Sequence, residues 1–223
     1  MRQYEHVLPA DIERTSMKLI AEELEARGVK LPEENRAVVY RVIHTTADFD
    51  YSENLVFTDG AVSRGIAAMT CGKTIVTDTN MALAGISKPS LKKLSCGAVC
   101  YMADRKIADK AKADGTTRAA ASMEYASERH ADGIFASGNA PTALIKLSEL
   151  IEEGLRPSLI IGVPVGFVNV VESKEQLLEI CRRYDIPAII SLGRKGGSNV
   201  AAAICNALLY SACDSLDPVK RGW

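Results

Sequence analysis

Apolar positions along the chain follow two periods, and the change falls near residue 70. Before it, the spacing is helical. The stretch "ADIERTSMKLIAEELEARG" predicts a helix from about residue 10 to 27, closed by Gly28. Ile12, Ser16 and Leu19 follow one another at helical spacing, which sets Ser16 on the apolar stripe. A serine there either bonds back to its own helix or turns its hydroxyl to a ligand. In "LPEENRAVVYRVIHTTAD", Pro32 and two glutamates predict a helix start, since acids favour the positive end of the dipole. Arg41 and His44 then project from one face of that helix.

After residue 70, short apolar runs alternate with amphipathic stretches. "KTIVTDT", "LSCGAVCYM", "GIFASGN", "SLIIGVPVGF" and "PAIISLGR" read as strands. "TTRAAASMEYASERH", "PTALIKLSELIEEG", "ESKEQLLEICRRYD" and "SNVAAAICNALLY" read as the helices between them. This alternation predicts an α/β fold, a single domain with a mostly parallel β-sheet and helices on both faces. The domain is expected over residues 1–213, and the polar tail 214–223 is expected to fray.

Composition narrows the function. A formal net charge of −1 gives no global basic field, so nucleic acid is not expected as a partner. No apolar run approaches membrane-span length, and the N-terminus "MRQYEHVLPADIERT" has no signal-peptide core. Cysteines at 71, 96, 100, 181, 205 and 213 form no CxxC, which points to reduced thiols in the cytoplasm and to no zinc site.

In an open parallel sheet, ligands gather at the carboxyl ends of the strands. "SGNAPTAL" offers Asn139 there, "GVPVGF" offers Gly166, and "LGRKGGSNVAAA" offers Arg194, Lys195, Gly196, Gly197 and Ser198. N–H groups at such a helix start, with two cations beside them, make a candidate anion site. A tight βα turn explains the same glycines equally well. Nucleotide-loop, nucleophile-elbow and HExxH patterns are absent. Asp78, Thr79 and Asn80 either bind a ligand or cap the next helix. Arg118 stands in a first helical turn, where a cation opposes the dipole, and this favours a ligand role. Asp48 and Asp50 read as a solvated turn, and His6 and His130 as surface residues.

Taken together, "HTTADF", "VTDTNMALAGI", "TRAAAS", "GNAPTAL", "GVPVGFVNVVESKE" and "GRKGGSNVAAA" resemble the precorrin-8X (cobalt-precorrin-8) methylmutases. The resemblance runs to about residue 210. It implies an isomerase of cobalamin biosynthesis that moves a methyl group from C-11 to C-12 of a corrin precursor, a formal [1,5]-sigmatropic shift giving hydrogenobyrinate or cobyrinate. It also implies a homodimer with no cofactor or metal and with active sites at the subunit interface. His44 matches the family's proton donor, and Ser16, Arg41 and Arg118 match positions around the macrocycle. The substrate-binding set expected is therefore Ser16, Arg41, Arg118, Asn139, Gly166, Arg194, Gly196, Gly197 and Ser198. A non-catalytic tetrapyrrole carrier, or an α/β enzyme for a phosphorylated ligand, are the alternatives.

Overall fold

Residues 8–221 are described by the computed structural model; His6 lies outside them. The helical first part gives α1 (Pro9–Ala26), a 3-10 turn (Glu33–Asn35), α2 (Arg36–Thr46) and the short α3 (Tyr51–Asn54). Then come β1 (Leu55–Phe57), α4 (Ala61–Thr70), β2 (Ile75–Thr77), α5 (Asn80–Gly85), α6 (Lys88–Lys93), β3 (Ala98–Val99) and α7 (Arg105–Ala113). The chain continues through α8 (Arg118–Ser127), β4 (Ile134–Ser137), α9 (Pro141–Glu152), β5 (Leu159–Gly162), α10 (Val170–Arg183), β6 (Ala188–Ser191) and α11 (Ser198–Ala212). A 3-10 turn, Pro218–Arg221, follows.

The strands form one sheet in the order β1-β6-β5-β4-β2-β3. Every pairing is parallel except β1 against β6, where Leu55 faces Ser191. All five expected strands are present; the antiparallel edge β1 is an addition. Side chains alternate between two cores, as a strand's period of two requires. Ile75, Ile134, Ile161 and Ile189 pack with α2, α4 and α11 on one face. Val76, Phe135, Ile160 and Ile190 pack with α8, α9 and α10 on the other.

The central element is α11, whose Val200, Ala201, Ile204 and Leu208 are completely buried. Its alanines allow α2 to lie close, and α2 answers with Val38, Val39, Val42 and Ile43. Burying each of these aliphatic side chains contributes about 1.5–3 kcal/mol. That packing fixes which face of α2 looks outward, and so where Arg41 and His44 point.

Two expectations are corrected. On α1 it is Ala10, Ile20 and Leu24 that are buried, while Ile12 and Leu19 are 48% and 58% exposed. Two apolar rows run along this helix; Ile12 and Leu19 face away from the core, while Ser16 is half-buried against α2. The polar tail packs against the fold over Asp214–Arg221. Ser215 and Pro218 are buried, and Arg14 grips Asp217 through both carboxylate oxygens at 2.7 and 2.9 Å.

Candidate active site

Ser16 and His44 meet where α1 crosses α2. The serine Oγ lies 2.7 Å from His44 Nδ1. This contact fixes the ring and leaves Nε2 with no protein hydrogen-bond partner among the described residues. The serine thus serves the histidine, and does not bond back to its own helix. His44 sits in the last turn of α2, just before Ala47 ends the helix in the left-handed region.

Arg41, one turn earlier, donates from Nη2 to Glu13 Oε1 at 2.6 Å. Its guanidinium also lies 5.2 Å from the ring centroid of Tyr210 on α11. Burial opposes charge on Glu13, yet hydrogen bonds from Arg221 and Arg41 outweigh it and hold the carboxyl below the usual range. His44 is pushed below its ordinary value, first by burial and then by the positive charge of Arg41, with Glu13 partly offsetting both.

A groove of about 280 Å³ runs from Arg41 and Thr45 past Ala202 and Tyr210 to Asn199 at the start of α11. It lies between α2, α11 and the end of α5, and reaches the start of α11 near the carboxyl ends of the strands. There the loops after β4, β5 and β6 pack against each other. A Cβ on Gly196 would come 2.1 Å from the Val163 carbonyl oxygen, and one on Gly138 would come 2.7 Å from that of Gly197. The close approach that demands glycine is therefore loop against loop. Gly197 N–H donates to Val163 O at 2.9 Å, and Gly166 N–H to Arg194 O at 3.3 Å. Ser198 Oγ lies 2.8 Å from Thr79 Oγ1.

Two buried polar residues, Asp78 and Lys174, organise these loops from within, and Lys195 ties them from the surface. Asp78, completely buried, accepts from Ser137 Oγ and from the N–H groups of Gly138, Asn139 and Ala140 at 2.8–2.9 Å. It is a loop anchor, neither a free ligand group nor a cap of α5; that cap is Thr79. Lys174, also buried, donates to the carbonyls of Gly193 and Lys195, and burial pulls it down to about 8. Lys195 is bound by Asp48 and Asp50 at 2.6 Å each. Those acids are thus a tether between the end of α2 and the β6–α11 loop. Lys195 is therefore neutralised and the Gly197 N–H engaged, so neither is free to hold an anion.

The cations left at this end are Arg194, whose guanidinium lies 5.5 Å from the Phe167 ring centroid, and Arg118. Arg118 is exposed at the start of α8 and has no ion pair among the described residues. Thr117 joins that start to α9 through Thr142 Oγ1 at 2.8 Å. Ser16, Arg41 and His44 thus form one cluster, while Asn139, Gly166, Arg194, Gly196, Gly197 and Ser198 form another. Arg118 stands at the edge of the second. His130 is more than a surface residue, since its Nε2 lies 2.8 Å from the Tyr101 hydroxyl.

Sequence reasoning missed Glu13, Tyr210 and Arg221. Glu13 was within reach, being one turn before Ser16 on the same helix. Tyr210 and Arg221 come together with it only in the fold.

A model of the precorrin-8X methylmutase family matches residues 11–211 of this chain. The chain belongs to the precorrin-8X methylmutase family. It is 42% identical over 214 residues to a cobalt-precorrin-8 methylmutase of Leptospira interrogans, covering 94% of this chain and 96% of that one. It is 41% identical over 203 residues to a cobalt-precorrin-8 methylmutase of Priestia megaterium, covering 91% and 88%. The solved precorrin-8X methylmutase of Thermus thermophilus superposes with a TM-score of 0.81 at 36% identity, covering 91% of this chain and 98% of that one. Like the family, the chain is a methyl-shifting isomerase of cobalamin biosynthesis.

Proposed function

We propose that the chain moves the C-11 methyl group of precorrin-8X or cobalt-precorrin-8 to C-12, with His44 as the acid. The observation that carries this reading is the His44 ring, held at Nδ1 by Ser16 and open at Nε2 beside Arg41. An imidazolium there donates its Nε2 proton to the conjugated macrocycle, which draws electron density from the C-11–methyl bond. That bond breaks as the C-12–methyl bond forms, and the proton returns to His44. General acid help of this kind is typically worth about 10²–10⁴-fold. Arg41, Arg118 and Arg194 meet the substrate's carboxylates, where a planar guanidinium can make two parallel hydrogen bonds.

A homodimer belongs to the same reading. The groove of about 280 Å³ is small for a whole macrocycle, since enclosed ligand sites usually measure about 300–1,000 Å³. Ile12 and Leu19 on α1, the helix that carries Ser16, are exposed, as is Leu8 at its N-cap. Val165, Phe167 and Val168 are exposed at the strand ends. A second subunit covering these residues deepens the site. Of the relatives named above, two carry the name of the cobalt-containing precursor and one that of precorrin-8X, so both forms are kept as substrates. Six free cysteines suit the reducing cytoplasm. Among the described residues no helix is long and apolar enough to cross a membrane.

The test is to incubate the protein with each precursor and locate the methyl group in the product. Conversion to the C-12 isomer supports the reading. Return of an unchanged ligand means a carrier, and a fully active monomer on sedimentation removes the shared site.

A further inference from the structure

Arg221 lies ten residues beyond the family match, which ends at residue 211. Its side chain is nonetheless only 9% exposed. Its Nη2 donates to Glu13 Oε1, the same oxygen that takes the Arg41 hydrogen bond. Its guanidinium lies 4.3 Å from the Tyr210 centroid, so that ring receives both arginines. The 3-10 turn that presents it is pinned by the Arg14–Asp217 pair. Two cations and one carboxylate carry a net charge of +1. With Arg221 absent, Glu13 alone would neutralise Arg41 and be free to pull it from the groove.

We propose that Arg221 is a positioning residue for the methyl shift. By sharing Glu13, it keeps Arg41 oriented along Tyr210 and leaves the cluster a net positive charge toward a substrate carboxylate. The residue acts through Arg41 and does not touch substrate. The inference rests on the reading of Arg41 as a substrate-binding group, so its test must separate the two.

The experiment is steady-state kinetics of the full chain with metal-free precorrin-8X, followed by visible absorbance. Arg221→Ala, Arg221→Gln, Arg221→Lys, Arg41→Ala and the Arg41→Ala/Arg221→Ala double variant are compared, with thermal unfolding of each. Arg221→Ala and Arg221→Gln should raise KM about three- to tenfold and keep kcat within about twofold. Arg221→Lys should recover part of the loss, because an ammonium keeps the charge without the fork. In the Arg41→Ala background the Arg221 effect should vanish. An unchanged KM in the Arg221 variants, with Arg41→Ala impaired, overturns the positioning role alone. An undiminished Arg221 effect in the Arg41→Ala background overturns it as well. If Arg41→Ala binds and turns over normally, both readings fall together. If neither Arg221→Ala nor Arg221→Gln folds, the residue is structural and the proposal is overturned.

Discussion

Ser16 Oγ and His44 Nδ1 lie 2.7 Å apart, although the residues belong to different helices. The contact selects which ring nitrogen faces outward, a relation that usually sets how a histidine acts. Ser16→Ala removes it and leaves the ring free to turn. A neutral hydrogen bond contributes about 0.5–1.5 kcal/mol, so kcat should fall about three- to tenfold while corrinoid affinity changes little. Single-turnover rates with direct titration would separate the two effects. Unchanged turnover would mean that the serine does not set the ring.

The direction of the His44 shift predicts a pH profile. Burial and Arg41 lower its pKa in the free protein, so the protonated acid is lost as pH rises through a value below about 6.5. The pH limb of kcat/KM should have its midpoint there, since that ratio reports the free enzyme. Substrate carboxylates beside the ring favour the imidazolium, so the kcat limb should lie at higher pH. Coincident midpoints, or activity that rises through this range, would count against the acid role.

Arg118, exposed and without an ion pair among the described residues, is placed to take a substrate carboxylate. A charge-assisted hydrogen bond is worth about 1.5–3 kcal/mol, so Arg118→Ala should weaken binding roughly ten- to hundredfold. Arg118→Lys should recover only part. Titration at two salt concentrations checks this, and unchanged affinity in a folded variant makes the arginine structural.

Asp78 gives a stability prediction. Its four donors include three backbone N–H groups, and the carboxylate is completely buried. Asp78→Ala leaves those donors without a partner and should cost about 3–5 kcal/mol. Urea unfolding would show it; a loss below about 1 kcal/mol would mean that the loop finds other acceptors.

The parallel strands were legible because β2, β4, β5 and β6 are apolar on both faces and end in glycine or polar loops. β1 was not, since three residues after a four-residue helix carry no usable period. The α1 stripe was misread because Ile12 and Leu19 make as regular a row as Ile20 and Leu24. Periodicity finds a row but not the side that meets the core. Arg41 and His44 stood out as neighbours on one helix face, whereas the sharing of Glu13 with Arg221 spans 208 residues of sequence. The glycine loop reads as an anion site in the sequence because its tether, Asp48 and Asp50 to Lys195, spans 147 and 145 residues.

The central claim is that His44 supplies the proton. The most direct measurement is the visible spectrum of metal-free precorrin-8X incubated with His44→Ala and His44→Asn, beside the unaltered chain. Both variants should fold and bind the corrinoid, yet convert it about 10²–10⁴-fold more slowly. Full turnover in either variant would contradict the account.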